Sequence, residues 1–179
     1  MLNFKKNTIN NVCLVGLMGS GKSVIGRDLS RKYNANFIDT DNEIEKETGK
    51  SIKDIFVDHG ETYFRDLEEK ICLQVLKNKN CVISLGGGSV LNNKIRSSIK
   101  KNSYSIFINV KINLIIKRLG NSKKRPLLNE GNKEEILKEL YKERIEYYND
   151  SDLIISNDLD KIDIIKKIDE KLREIWLKK

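Results

Sequence analysis

Proline, histidine and cysteine are scarce in this chain of 179 residues, and each scarcity excludes a class of site. The single histidine, His59, cannot supply a metal centre built from several imidazoles. Cys13, Cys72 and Cys81 form no C-x-x-C pair, so we expect reduced, buried thiols and no disulfide framework. No apolar run is long enough to span a bilayer, and the first ten residues lack the apolar stretch of a signal peptide. These absences predict a cytoplasmic protein with a single domain, residues 1–179, and no membrane partner.

The charge is unbalanced, with 34 Lys and Arg against 26 Asp and Glu and a formal net charge of +8. Lysine accounts for most of the basic residues, and the chain is also rich in Ile and Asn. An AT-rich coding sequence produces such a composition as easily as selection for function does. Net charge is therefore weak evidence for a nucleic-acid partner, and we expect none. The arginines are more informative, because a planar, bidentate donor in a lysine-rich chain marks positions where geometry matters.

Short apolar runs alternate with helical patterns along the chain. The apolar runs predict five strands, at about residues 12–15, 37–39, 81–85, 105–110 and 153–155. Helical periodicity marks four segments, at about residues 22–32, 61–76, 133–148 and 160–177. This alternation predicts an α/β fold of three layers, in which a five-stranded parallel sheet is flanked by helices. Ligands on such sheets bind beyond the carboxyl ends of the strands.

A glycine-rich loop follows the first predicted strand. Residues 16–23, GLMGSGKS, fit the pattern G-x-x-x-x-G-K-[ST] between a strand and a helix. Backbone N–H groups of such a loop surround phosphate oxygens, while Lys22 reaches the β- and γ-phosphates and the Ser23 hydroxyl coordinates Mg²⁺. A turn that binds nothing would explain neither the spacing nor the context. The residues expected to bind the nucleoside triphosphate are Gly19, Ser20, Gly21, Lys22, Ser23 and Val24.

Two carboxylates, Asp39 and Asp41, follow the apolar pair Phe37-Ile38 of the second predicted strand. One can reach the shell of a metal ion, while the other accepts a hydrogen bond from an acceptor hydroxyl, as a kinase for a neutral hydroxyl requires. The alternative is a helix N-cap, because Asp41 with Glu43 and Glu45 suits the start of a short helix. Capping alone accounts for one of the two aspartates.

Arg144 lies on the apolar stripe of the helix predicted over residues 133–148. A guanidinium that faces inward needs an anionic partner, because burying an unpaired charge is costly. The alternative is an arginine whose stem covers the core while its head reaches water. The stripe itself consists of Leu137, Leu140, Tyr141, Arg144 and Tyr148.

Further motifs follow along the chain: FIDTDNEIE at 37–45, IFVDHGETYFRDLEE at 55–69, ISLGGGSV at 83–90 and RPLL at 125–128. With the glycine-rich loop, they make the chain resemble the shikimate kinase family over about residues 10–157. The resemblance implies the P-loop kinase fold, with a substrate-binding insertion at about 41–70 and a lid at about 118–132. It implies transfer of a phosphoryl group from ATP to the 3-hydroxyl of shikimate, a step of aromatic amino acid biosynthesis, with Mg²⁺ as cofactor. We expect the enzyme to be a monomer.

On the acceptor side, the resemblance assigns Arg65 and Arg144 to the shikimate carboxylate and Asp41 to its hydroxyls. A guanidinium fork matches a carboxylate bidentately, so the chemistry agrees. Glu68 and Glu69 follow Arg65 and form either a surface ion pair worth about 0.2–0.5 kcal/mol or a support that holds Arg65 in its binding rotamer. The triplet whose N–H groups are expected to face shikimate, with a flexible turn as the alternative, consists of Gly86, Gly87 and Gly88.

On the nucleotide side, the resemblance assigns Asp39 to Mg²⁺ through water, beside Ser23. Arg125 is assigned to the transferring phosphoryl group and Arg118 to the adenine ring. The alternative for the basic stretch 123–125 is a solvated loop or a nucleic-acid patch, but it has no interleaved aromatic residues for stacking on bases. The expected catalytic residues are Asp41, Lys22 and Arg125.

Two rival functions make different demands on the sequence. A kinase for gluconate or for a nucleoside monophosphate would need other residues in place of the DTD, GExxFR and GGG motifs. A non-enzymatic descendant that binds a partner or nucleic acid would be expected to have lost at least one catalytic or binding side chain. The four residues that test this are all present: Lys22, Asp41, Arg65 and Arg125.

Overall fold

The computed structural model describes residues 10–120, 132–157 and 161–177. The strands are β1 (Asn11–Val15), β2 (Asn36–Asp39), β3 (Cys81–Ser84), β4 (Ser103–Asn109) and β5 (Leu153–Ser156). The helices are α1 (Lys22–Tyr33), α2 (Thr40–Thr48), α3 (Ile52–Val75), α4 (Asn93–Asn102), α5 (Ile112–Leu119), α6 (Lys133–Asn149) and α7 (Lys161–Leu177). Over the described ranges, no helix combines the length and the apolar character needed to cross a lipid bilayer.

The strands form one parallel sheet in the order β2-β3-β1-β4-β5. The central strand β1 pairs on one side with β3 and on the other with β4, so that Asn11 lies opposite both Cys81 and Ser103. Every residue of β1 and β3 is buried. Because successive side chains of a strand point to opposite faces, this burial means that helices cover both faces of the sheet. The predicted α/β fold with five parallel strands is confirmed.

Polar side chains cap the N-termini of several helices. Ser51 accepts a hydrogen bond from the N–H of Asp54 at the start of α3, and Asn92 accepts from Ile95 at the start of α4. Asn132 plays the same part at the start of α6. The first N–H groups of a helix have no partner inside it, so such caps define where each helix begins.

Gly60 interrupts α3. Its backbone angles, φ 79° and ψ 176°, lie in a region that only glycine adopts readily, and they divide the helix into two segments. The second segment begins at the residue where helical periodicity predicts a start, Glu61. It carries Arg65 and Glu68 towards the carboxyl edge of the sheet.

The expected substrate-binding insertion lies within the described residues, whereas most of the expected lid lies outside them. Helices α2 and α3 span the expected insertion at 41–70. The expected lid at 118–132 begins on α5, which ends at Leu119, and its last residue, Asn132, caps α6. Residues 121–131, with Arg125, lie outside the described residues.

Candidate active site

A cavity of about 330 Å³ opens at the carboxyl edge of the sheet. It brings together eight of the residues that sequence reasoning assigns to substrate or metal: Ser23, Asp39, Asp41, Arg65, Gly86, Gly87, Gly88 and Arg144. The rest of the wall consists of residues for which the sequence predicts no substrate contact: Met18, Arg27, Asn42, Glu45, Ile52, Phe56, Phe64 and Glu68. The apolar members of this second set come mostly from α3, where helical spacing indicates core packing as readily as a binding wall.

The phosphate loop joins β1 to α1, and its lysine is folded back onto it. The Lys22 ammonium is buried and donates to the carbonyl oxygens of Gly16 at 2.7 Å and Leu17 at 2.9 Å. Gly21, directly before α1, has the left-handed φ of 95° that lets the chain turn into the helix. The loop thus ends at a helix N-terminus, where backbone N–H groups and the helix dipole favour phosphate.

The Ser23 hydroxyl, on the first turn of α1, meets the Asp39 carboxylate at the end of β2. Ser23 Oγ donates to Asp39 Oδ2 at 2.5 Å and lies 3.5 Å from the Ser84 hydroxyl. The other carboxylate oxygen, Asp39 Oδ1, accepts from the Asp41 N–H at 3.2 Å. The short helix expected after β2 is therefore present, but its N-cap is Asp39 and not Asp41.

This pair of oxygen donors suits Mg²⁺. Mg²⁺ prefers oxygen ligands and is usually held by one or two protein groups together with substrate phosphates and water. Ser23 and Asp39 supply such groups at the mouth of the phosphate loop. Within residues 10–120, 132–157 and 161–177, no cluster of three or more His, Cys, Asp or Glu could hold a metal by itself.

The glycine triplet after β3 is only partly arranged as expected. The Gly86 N–H donates to Thr40 Oγ1 at 3.0 Å, so the expectation that this N–H faces the substrate is wrong. A Cβ at Gly86 would lie 2.8 Å from both Asp41 Oδ1 and Glu68 Oε1. Glycine is needed here because two carboxylates approach the backbone closely, which a flexible turn would not require.

Arg65 is held on both sides by carboxylates. Its Nη1 donates to Glu68 Oε2 at 2.7 Å, and its Nη2 donates to Glu61 Oε1 at 2.8 Å. Burial disfavours the charge of Arg65, but the two carboxylates outweigh it and raise the pKa of this guanidinium. A Cβ at Gly88 would lie 2.5 Å from Arg65 Nη1, so this glycine makes room for the guanidinium.

Only one of the two acids expected beside Arg65 contacts it. Glu68 is buried, and its second oxygen, Oε1, accepts from the Ser89 hydroxyl at 2.7 Å. Glu69 instead pairs with Lys94 at 2.7 Å on the surface. The interpretation of Glu68 as a support for Arg65 agrees with this geometry. Glu69, by contrast, connects α3 to α4 through its ion pair with Lys94.

Arg144 faces inward from α6 and is 2% exposed. This burial contradicts the alternative in which its head reaches water. Its Nε donates to Glu143 at 3.2 Å, and one turn on, the Tyr148 hydroxyl donates to the Gly87 carbonyl at 2.5 Å. Burial raises the pKa of Tyr148, so its hydroxyl keeps the proton that it donates. Helix α6 is thereby fixed to the glycine triplet with Arg144 in the cavity wall.

Arg118 lies on α5, outside the wall of this cavity. Its guanidinium donates to the carbonyl oxygens of Asn157, at 2.9 Å, and of Ser20, at 3.5 Å. The sequence leaves open the adenine-side contacts near Ser156 and Asn157. Asn157 directly follows β5, at the same edge of the sheet at which Asp39 ends β2. Val24, expected to bind the nucleotide, lies exposed on the first turn of α1.

Comparison with known proteins identifies relatives of this chain. A family model described as shikimate kinase matches residues 18–173. A shikimate kinase of Persephonella marina is 41% identical over 150 residues, which cover 84% of this chain and 90% of that protein. The structure of a shikimate kinase from Acinetobacter baumannii in complex with shikimate has a TM-score of 0.90 and 32% identity, over 96% of each chain.

A more distant neighbour shows the fold alone. A deoxyadenosine kinase from M. mycoides has a TM-score of 0.64 at 18% identity, over 92% of this chain and 99% of that one. The sheet and its helices are therefore shared among kinases that differ in sequence. The family model and the 41% identity to the Persephonella marina protein show more than a shared fold. This chain belongs to the shikimate kinase family.

Proposed function

We propose that this enzyme transfers the γ-phosphoryl group of ATP to the 3-hydroxyl of shikimate, giving ADP and shikimate 3-phosphate. Membership of the shikimate kinase family supports the reaction. The observation that carries the choice of acceptor is the meeting of Arg65, Arg144 and Asp41 around one cavity beside the phosphate loop. Two guanidiniums and a carboxylate match a substrate with one carboxylate and several hydroxyls.

Arg65 and Arg144 would bind the substrate carboxylate. Arg65 is oriented before substrate arrives, because Glu61 and Glu68 already hold its guanidinium. Arg144 is buried in the wall, and its Nε pairs with the half-exposed side chain of Glu143. A carboxylate in the cavity would supply the anionic partner that a buried guanidinium needs.

Asp41 would orient the 3-hydroxyl for attack. As the hydroxyl oxygen bonds to the γ-phosphorus, the bond from that phosphorus to its bridging oxygen breaks and the electron pair leaves with ADP. The hydroxyl proton passes to Asp41 or, through it, to solvent. Phosphoryl transfer needs orientation more than strong proton abstraction, so the placement of this carboxylate matters most.

The phosphates would be held by the loop after β1. Lys22 exchanges the carbonyl oxygens of Gly16 and Leu17 for the β- and γ-phosphate oxygens. Ser23, with Asp39 through water, would hold Mg²⁺, which when bound neutralises charge on the β- and γ-phosphates.

Further contacts to the nucleotide follow from the family pattern. The backbone of Gly19, Ser20 and Gly21 would surround the phosphates, with Val24 on the first turn of α1. Arg118 would contact adenine. Arg125, in a lid over about residues 118–132, would reach the group in transfer.

Release of ADP with and without shikimate tests the function, with gluconate and AMP as alternative acceptors. We expect turnover that depends on shikimate, with neither alternative giving a rate above background. Equal or faster turnover with gluconate or AMP would overturn the assignment of the acceptor. Salt-dependent DNA binding without shikimate-stimulated turnover would overturn the enzymatic proposal as a whole.

A variant pair tests the carboxylate site. Arg65→Lys keeps the charge but loses the bidentate fork, so it should weaken shikimate binding and spare ATP binding. Arg31→Lys, at an exposed position beside Asp28, is the matched control and should change neither. Equal loss of both substrates in Arg65→Lys would indicate misfolding in place of a lost contact.

A further inference from the structure

Asn157 connects three segments at the carboxyl edge of the sheet. It follows β5 directly and is 6% exposed. Its backbone N–H donates to the carbonyl oxygen of Asn109, the last residue of β4, at 2.7 Å. Its side-chain Nδ2 donates to the carbonyl oxygen of Ser20 at 2.6 Å, across 137 positions of the chain. One residue therefore ties the ends of β4 and β5 to the phosphate loop.

The bond from Asn157 determines which way the Ser20–Gly21 peptide faces. A trans peptide is planar, and its C=O and N–H groups point in opposite directions. When the Ser20 carbonyl points outward to Asn157, the Gly21 N–H points to the opposite side, into the loop. That N–H is one of the donors from which a phosphate loop makes its anion site.

Gly21 is the position at which this peptide could most easily turn over. Glycine has no Cβ to resist rotation, and its φ of 95° is one of several angles that it adopts at little cost. A Cβ on Gly21 would lie 2.8 Å from Asn157 Nδ2, so a side chain there would clash with the carboxamide. The loop thus needs glycine at position 21, beside Asn157. Because glycine alone does not fix the orientation of the Ser20–Gly21 peptide, a hydrogen bond to that peptide is needed to hold it.

Arg118 adds a second contact to the same region. Its guanidinium donates to the backbone carbonyl of Asn157 at 2.9 Å and approaches the Ser20 carbonyl at 3.5 Å. Because the contact uses the backbone of Asn157, replacing the side chain leaves it in place. The contribution of the carboxamide can therefore be measured separately from that of Arg118.

We propose that Asn157 is a positioning residue for the nucleotide: its carboxamide holds the Ser20–Gly21 peptide in the orientation that turns the Gly21 N–H towards the phosphates. This proposal rests on the proposed function, since it concerns ATP in the same site. It predicts a role in phosphate binding for a residue that lies outside the glycine-rich motif. Shikimate, which binds across the cavity, should not sense the change.

The first test measures ADP binding by calorimetry to the full chain. Loss of one hydrogen bond that holds a donor in place should weaken ADP binding about tenfold in Asn157→Ala, and raise the KM for ATP by a similar factor. The shikimate dissociation constant should stay within about twofold of its original value. The matched control is Asn102→Ala, which removes an amide that donates to the Ser98 carbonyl at 3.0 Å at the end of α4. That control should leave ADP binding unchanged.

The second test uses Asn157→Asp, which keeps the shape and replaces the donor by an oxygen. At high pH the introduced carboxylate repels the Ser20 carbonyl, whereas its protonated form carries an O–H that can donate to it. ADP affinity of this variant, divided by that of the original chain at each pH, should therefore rise as the pH falls from about 7 to about 4, the range in which an aspartate takes up its proton. A purely structural role for Asn157 would not produce this recovery.

The outcomes separate the two proposals. ADP binding unchanged in Asn157→Ala, or equal losses of ADP and shikimate affinity, would overturn the positioning role. A pH-independent affinity ratio for Asn157→Asp would overturn it as well. Failure of the proposed function would appear instead in the original chain, as ADP binding without shikimate-dependent turnover.

Discussion

The two sides of the cleft are held in place by different means. On the nucleotide side, Lys22 and Asn157 donate to backbone carbonyls of the phosphate loop. On the acceptor side, Arg65 is oriented by the side chains of Glu61 and Glu68. On one side, therefore, side chains hold a backbone loop by its carbonyl groups, and on the other a charged side chain is held by two other charged side chains.

This difference separates what kinases share from what distinguishes them. A backbone cradle binds phosphate in any chain that can adopt its shape, so it says little about the acceptor. Charged side chains from α3 and α6 can be exchanged without altering the sheet, so we expect the acceptor side to determine which substrate is phosphorylated. Substitutions that affect one side alone test whether the two are independent.

The largest expected effect is on the nucleotide side. Lys22→Met keeps most of the length of the side chain but removes the ammonium that we propose contacts the phosphoryl group in transfer, so kcat should fall by about 10²–10³-fold. Shikimate binding, measured by calorimetry, should be unchanged. Lys46→Met, at an exposed ion pair with Glu43, serves as the control and should keep full turnover. A parallel loss of shikimate affinity would show that the two sides are coupled.

Asp41→Asn comes next, because Asp41 lies where the two sides meet. The amide keeps the size of the carboxylate but orients the 3-hydroxyl poorly, and kcat should fall by about 10²-fold. Dissociation constants for ATP and shikimate should each change little, as determined by equilibrium titration. Asp58→Asn removes an exposed carboxylate paired with Lys50 and should have no effect. Turnover near normal in Asp41→Asn would contradict the role given to Asp41.

A smaller effect is expected from Glu68→Gln on the acceptor side. The amide still accepts from Ser89 but loses the charge that holds Arg65, so the KM for shikimate should rise about tenfold. The KM for ATP should be unchanged in steady-state assays of ADP release. Glu69→Gln, whose carboxylate pairs with Lys94 on the surface, is the neighbouring control. If both substrates were affected alike, Glu68 would support the whole cleft and not one side of it.

The smallest effect on turnover is expected at Gly60, which belongs to neither side. An added Cβ meets no atom within 4 Å, but the backbone angles are costly for any residue with a Cβ. Gly60→Ala should lower the free energy of unfolding by about 1–3 kcal/mol, measured by denaturant titration, with both KM values unchanged. Val57→Ala, at an exposed position on the same helix, should leave stability almost unaltered. A changed KM for shikimate in Gly60→Ala would place the kink within the acceptor side.

The sheet and the phosphate loop could be predicted because their signals are local. The glycine-rich pattern lies in eight consecutive residues between a strand and a helix, and each strand is a short apolar run. Helix α4 buries two apolar residues, Ile95 and Ile99, in a stretch that is otherwise polar, so few apolar positions mark it as a helix in the sequence. Helix α5 is short and begins with a run of apolar residues that does not distinguish helix from strand.

Several contacts within the site could not be predicted from the sequence, because they join residues that lie far apart in the chain. Glu68 and Glu69 both follow Arg65 at helical spacing. Glu69 pairs instead with Lys94, which lies on another helix, and the sequence does not show that contact. The Gly86 N–H is engaged by Thr40, and the Ser20 carbonyl by Asn157, across long stretches of chain. Pairings of this kind follow from the order of strands in the sheet, which periodicity does not supply.

That strand order also has a consequence for how the chain folds. The pairs β2–β3 and β4–β5 join strands that are neighbours in the sequence, whereas β1 must be inserted between β3 and β4. Closing contacts across long stretches of chain is slow, because the entropy of the intervening loop is lost before the strands are paired. We expect the loop that follows β1 to take its shape once both halves of the sheet have paired with that strand. We therefore expect a newly made chain to gain its affinity for nucleotide as one of the last events of folding.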